Sequence, residues 1–185
     1  VTSLVVSGNN AVQFNDVNLH TGKATIKSGW VTLEAGSLWT GNATVGANAY
    51  LVFYGGEAAH TSLTLEGNSR VYVYEDSTLS AERTDMKGDV QLYISSDTVI
   101  PVLTMSGDIW SYSGSKFLVD IDGAALEVGE TYPIVDFGRY ISNWDIFFST
   151  TEGELSFDGE RVCITYLPEE HVWDGQGNTW SYTKL

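Results

Sequence analysis

Several residue types are scarce in this chain, and each shortage excludes something. Cysteine occurs once, at Cys163, so an internal disulfide and a thiolate zinc site are excluded. Only 3 prolines stand against 19 glycines, which predicts many tight turns and no Pro-rich linker. Basic residues number 9 against 24 acidic ones, a formal net charge of −15. An acidic chain with no basic run is a poor binder of nucleic acid or anionic lipid. The longest apolar run covers residues 49–54, far short of a membrane span. Val1-Thr2-Ser3-Leu4 carries no charged region followed by an apolar stretch, so no secretory leader is expected here. Charged residues are only 18% and apolar content is ordinary, which argues against disorder.

What is present is a repeat. The triplets Leu4-Val5-Val6, Ala24-Thr25-Ile26, Ala43-Thr44-Val45, Leu63-Thr64-Leu65 and Leu103-Thr104-Met105 recur, with a degenerate member at Thr84-Asp85-Met86. Their centres advance by 20, 19, 20, 21 and 19 residues. Four residues after each centre stands Asn9, Gly29, Asn48, Asn68, Asp89 or Asp108. Gly, Asn and Asp enter the left-handed backbone region at least cost, so one turn is predicted per repeat. A second alternating triplet follows: Val12-Gln13-Phe14, Val31-Thr32-Leu33, Leu51-Val52-Phe53, Val71-Tyr72-Val73 and Leu92-Tyr93-Ile94. Period-2 alternation marks strands with one buried face. A weaker third column runs Leu19, Trp39, Ala59, Leu79 and Val99.

Three short strands per coil of about 20 residues predict an all-β fold, a right-handed parallel β-helix over about residues 4–110. The second triplets would supply two inward columns, Val12/Val31/Leu51/Val71/Leu92 and Phe14/Leu33/Phe53/Val73/Ile94. A leucine-rich repeat is excluded because its Leu-x-x-Leu-x-Leu and Asn pattern is absent. An antiparallel sandwich has no reason to repeat a turn residue at this period. The repeat fades near residue 110. Residues 116–122 and 131–137 still alternate, and residues 154–166 read as a hairpin with Asp158-Gly159 at its tip. The expected organisation is β-helix repeats over 1–110, a partly antiparallel cap over 111–167 and a polar, aromatic tail over 168–185.

Two stretches carry a family resemblance. The sequences GSKFLVDIDG (114–123), GETYPIVD (129–136) and LSFDGERVCITY (155–166) resemble the strand–turn–strand ending of bacterial autotransporter passengers and related secreted β-helix proteins. The tail WDGQGNTW (173–180) is similar to the opening of autotransporter-associated strand repeats. The resemblance implies export, an extracellular or cell-surface location, and often adhesion. It also implies that any membrane attachment comes from a barrel or anchor elsewhere in a precursor.

Among candidate sites, Val52, Tyr54, Tyr72, Tyr74 and Tyr93 fall at outward positions of the second strand. Tyr54, Tyr72, Tyr74 and Tyr93 would form one aromatic patch on a flat sheet, able to stack on sugar rings or bind a partner. The plain alternative is good strand-forming residues that stack across rungs. Asp120 and Asp122 share a strand face about 6–7 Å apart by strand rise. That spacing suits paired glycosidase carboxylates or part of a calcium site, against the plainer reading of a solvated acidic face. Glu75-Asp76 is a weaker calcium candidate. His20 and His60 are expected in one column two coils apart, too far to share zinc. Ser80 would lie one coil beyond His60, without an orienting Asp, so a triad is not expected. These histidines, and His171 in the tail, are expected at the surface. Cys163 alternates with Val162 and Ile164 and reads as a packed thiol.

Polysaccharide lyases also use parallel β-helices, but with a basic residue as catalytic base. Here Lys23, Lys27, Arg70, Arg83, Lys87, Lys116, Arg139, Arg161 and Lys184 form no column. No phosphate loop, metal motif or nucleotide fingerprint is present, so no cofactor and no metal is implied. The expected function is a non-enzymatic adhesin, stalk or partner-binding scaffold, with self-association open. The alternative is a glycan-binding module or a polysaccharide-active enzyme. Expected partners are a neutral glycan or a cell-surface protein.

Overall fold

Alternation turns one face of each short strand inward, and the left-handed turn residues let successive strands stack in parallel. The structure, a computed structural model, describes residues 2–9, 11–123, 126–141, 143–167, 170–173 and 180–183. In chain order the first strands are β1 (Ser3–Val6), β2 (Ala11–Phe14), β3 (Asn18–Ile26), β4 (Gly29–Glu34), β5 (Leu38–Val45) and β6 (Ala49–Tyr54). Then come β7 (Glu57–Glu66), β8 (Arg70–Glu75), β9 (Ser77–Lys87), β10 (Val90–Ser95), β11 (Leu103–Ser111) and β12 (Phe117–Asp122). The last are β13 (Thr131–Asp136), β14 (Phe148–Thr150), β15 (Gly153–Phe157), β16 (Arg161–Tyr166), β17 (Glu170–Trp173) and β18 (Trp180–Thr183).

Up to β15, odd- and even-numbered strands build two different sheets, and β16 joins the odd-numbered one. One has the order β1-β3-β5-β7-β9-β11-β13-β16-β15, and the other β14-β12-β10-β8-β6-β4-β2. Together they form a β-solenoid of about four turns. The second-triplet columns form in the expected register, with Val31 opposite Leu51, Leu33 opposite Phe53, Leu51 opposite Val71 and Phe53 opposite Val73. From Val31 through Ile94 these side chains are fully buried. The first triplets stack on the other sheet, Ile26 on Val45 and Val45 on Leu65. A one-residue slip would turn these apolar columns to solvent, so burial fixes the register.

The third strand of each coil is not separate. It runs on into the first strand of the next coil, and the long strand bends at a bulge. Register shifts lie between Thr21 and Ala24, between Gly41 and Asn42, and between Ser106 and Asp108. The bulges need glycine. A Cβ on Gly41 would lie 1.6 Å from the Thr21 carbonyl oxygen, and one on Gly107 would lie 1.5 Å from that of Ala81.

Three repeat assignments are corrected. Leu103-Thr104-Met105 pairs with Ser77-Thr78-Leu79 and so belongs to the third column. Ile109-Trp110-Ser111 takes the predicted place, opposite Thr84-Asp85-Met86. The cause is a loop after β10 that lengthens this coil and leaves Val99 73% exposed. The third column is therefore Leu19/Trp39/Ala58/Leu79/Met105, with Ala58 in place of Ala59. Of the six turn residues, Gly29, Asn48 and Asn68 have positive φ. At two further turns the preceding glycine, Gly8 or Gly88, takes that conformation in place of Asn9 or Asp89. Asp108 lies within β11, beside the bulge at Gly107.

Parallel pairing continues where the sequence repeat fades. β12 pairs with β10, β14 with β12, and β13 with β11 through Leu103–Val135 and Thr104–Asp136. Antiparallel pairing then begins, with β16 on β13 and β15 on β16. The hairpin tip is set by Asp158, whose carboxylate accepts from the Glu160 and Arg161 amides and pairs with the Arg161 guanidinium at 2.7 Å. Those two backbone donors first, then Arg161 itself, hold the Asp158 carboxyl below its usual range. Cys163 packs in this hairpin, buried. In the tail β17 and β18 pair antiparallel, with Trp173 opposite Trp180. Residues 174–179 of the strand-repeat resemblance, Lys184, and the side chain of His171 lie outside what is described.

Candidate functional site

The even-numbered sheet positions the aromatic residues. With Val31, Leu51, Val71 and Leu92 inward, alternation sends the residues on either side of each outward. Three parallel outward columns result. The first holds Trp30, Tyr50 and Arg70. The middle one holds Gln13, Thr32, Val52, Tyr72, Tyr93 and Asp120. The third carries Glu34 and Tyr54, then Tyr74 and Glu75, where the register shifts after Phe53.

The four predicted tyrosines meet. Tyr54 and Tyr74 stack at 4.6 Å with an 8° interplanar angle, and Tyr72 lies 6.2 Å from Tyr74. Tyr93 touches Tyr72 at 5.1 Å and Tyr74 at 6.4 Å. The sequence reading missed Trp30 and Tyr50. Tyr50 stacks on Tyr72 at 5.8 Å, and Trp30 meets Tyr50 edge-on at 6.4 Å. The signal was available, because both residues immediately precede an inward residue. Arg70 also belongs here, lying 5.0 Å from the Tyr50 ring centre and donating a hydrogen bond to its hydroxyl.

Of these rings, Trp30, Tyr50, Tyr54, Tyr72 and Tyr74 line a shallow trough of about 760 Å³, and Tyr93 lies outside it. Its floor is Thr32 and Val52, and among the described residues no acidic or basic side chain lines it. Burial in the ladder, then the neighbouring Tyr54, Tyr93 and Tyr72, push the Tyr74 phenol above its ordinary value. Burial also raises the Tyr93 phenol, while its hydroxyl donates to Asp122 Oδ2 at 3.0 Å. The Tyr74 and Tyr93 phenols therefore stay uncharged at neutral pH.

The carboxylate candidates lie beyond this trough. Asp120 follows Tyr93 in the middle column. Burial, then the adjacent Asp122, raises its carboxyl above the usual range. It lines a separate cleft of about 310 Å³ that Glu152 also lines. Asp76 accepts from the Val102 amide at 2.8 Å and so anchors the loop after β10. Among the described residues no group of three or more His, Cys, Asp or Glu could hold a metal ion.

The histidine expectation is corrected. His20 lies opposite Thr40 and is exposed, with Nδ1 2.9 Å from the Thr40 hydroxyl. Thr40 in turn lies opposite Ala59, so the column does not reach His60. His60 faces Gly41 and points inward, only 4% exposed, with its ring edge-on to Trp39 at 4.8 Å. Its Nδ1 lies 3.2 Å from the Gly41 carbonyl oxygen, and its Nε2 has no hydrogen-bond partner among the described residues. Burial lowers its pKa to about 4. Ser80 lies opposite Ala59 rather than His60. Comparison with protein families, curated proteins and solved structures finds no match to this chain.

Proposed function

We propose that this chain is a non-enzymatic segment of a secreted or cell-surface protein of the autotransporter-passenger kind, and that its aromatic sheet face is a binding surface. The observation that carries the reading is the joined set of Trp30, Tyr50, Tyr54, Tyr72, Tyr74 and Tyr93 on the outer face of a parallel sheet. Aromatic rings with polar tips give a large desolvation gain with few rotors to freeze, which suits recognition.

Two observations favour binding over catalysis. Among the described residues, no carboxylate or cationic side chain lines the trough formed by Trp30, Tyr50, Tyr54, Tyr72 and Tyr74. Several guanidinium groups are also tied locally, Arg83 to Asp85, Arg139 to the Gly107 carbonyl and Arg161 to Asp158. A lyase-type base needs a free basic group beside its substrate. The location and adhesive role rest on the family resemblance of the C-terminal stretches. Partners on this reading are a glycan or a cell-surface protein.

The test is the double variant Tyr72→Ala/Tyr74→Ala. Both side chains face outward, so circular dichroism and thermal melting should stay near wild type. Binding to an array of glycans and cell-surface proteins should weaken. Unchanged binding would reduce the patch to a well-formed strand surface, and collapse of the fold would make the tyrosines structural.

A further inference from the structure

The ladder is not a flat strip. In the middle outward column the side chains are small at Thr32 and Val52 and become large at Tyr72. Tyr50, Tyr72, Tyr74 and Tyr54 then join ring to ring, at 5.8, 6.2 and 4.6 Å, in a horseshoe around Val52. Tyr72 walls one end of the floor. The other end continues over Thr32 toward β2, with Trp30 extending the arm that Tyr50 begins. The two arms stand four residues apart on β6, about 13 Å by strand rise, which leaves room for a chain one sugar ring wide.

Resting on the binding-face reading above, we infer that this trough takes the end of a linear, uncharged glycan. The chain lies along the solenoid axis with its terminal ring over Val52 and its end against Tyr72. Three features select that ligand. Among the described residues the lining carries no charged side chain although the whole chain carries −15, and the one cation at its edge, Arg70, is engaged by the Tyr50 ring and hydroxyl, so a polyanion or a charged peptide finds little counter-charge there. Phenol hydroxyls, Thr32 and Asn48 supply uncharged hydrogen-bond groups. The rings offer faces for the C–H side of a sugar. The trough covers three rungs at about 4.8 Å each, enough for roughly two or three sugar units.

The experiment titrates the whole chain with neutral linear oligosaccharides of glucose, mannose, galactose and N-acetylglucosamine, of increasing length. Forms capped at the reducing end, capped at the other end, or cyclised are titrated in parallel. Calorimetry and tryptophan fluorescence are read, with Trp30→Phe identifying the reporting indole. Affinity should rise with length to about three units and then level. Cyclic forms and one of the two capped forms should bind about tenfold more weakly, the value of one lost stacking contact. Val52→Trp fills the floor from the outside and should abolish binding with an unchanged melt. Tyr72→Ala removes the end wall and should restore cyclic and capped ligands relative to linear ones.

If cyclic and linear sugars bind alike, end recognition is wrong and the binding face stands. If no sugar in the panel binds but a protein binds and Tyr74→Ala weakens it, the ligand class is wrong and the face stands. If neither sugar nor protein binding responds to Val52→Trp or Tyr74→Ala, both readings fall.

Discussion

At the scale of single residues, the least expected side chain is His60. It sits in the core beside Trp39 with one ring nitrogen unsatisfied. Burial holds its pKa at about 4, against 6.5 for the free side chain. Between these values the unfolded chain binds the proton and the folded one does not. The stability contribution is therefore complete above about pH 6.5 and is lost as pH falls toward 4. A shift of about 2.5 units corresponds to roughly 3 kcal/mol. Urea melts at pH 7 and pH 4 should show that loss in wild type beyond the loss in His60→Phe. Parallel pH slopes in the two proteins would show that His60 titrates normally. Phe53 makes the opposite kind of contribution, fully buried between Leu33 and Val73. Phe53→Ala should cost about 3–5 kcal/mol. A loss below about 1 kcal/mol in denaturant melts would contradict the column.

At the scale of elements, the bent strands of the odd-numbered sheet matter most. Gly107 has φ 92° and no room for a Cβ, whereas Gly114 has φ 75° and open space around it. Both would strain an alanine by about 1–2 kcal/mol through backbone conformation alone. Only Gly107→Ala adds a backbone clash, so it should lower stability clearly more than Gly114→Ala. Equal melting temperatures for the two variants would mean that the bulge can open without cost. The even-numbered strands are shorter, each six residues from β4 to β12, and from Trp30 to Asp120 their register shifts only after Phe53. Three outward columns can then stand side by side and hold the rings in contact.

At the scale of the whole molecule, each coil touches mainly its neighbours, so stability spreads by nearest-neighbour contact. The two ends differ. Val12 and Phe14 on β2 are only half-buried, whereas β13 is covered by the hairpin of β15 and β16. Hydrogen exchange should therefore be fastest in β1 and β2 and slowest in β6, β8 and β10. Uniform protection along the chain would indicate all-or-none opening.

The division of labour between sequence and tertiary structure follows from range. Alternation at Val31, Leu51, Val71 and Leu92 determined strands, inward columns and the outward placement of Tyr54, Tyr72, Tyr74 and Tyr93, because side-chain direction in a strand is local. Asp158-Gly159 determined the hairpin for the same reason. Register across the long strands was not local. A single bulge at Gly41 moved His60 from the surface to the core, and the loop after β10 moved Leu103 to another column. Parallel pairing of β12 with β10 was also hidden, because the connecting segment breaks the period while the backbone edge of β10 still accepts a strand. The horseshoe around Val52 needed both ranges. Each ring was placed by its own strand, but only the stacked coils brought Tyr50, Tyr72, Tyr74 and Tyr54 together around one small side chain.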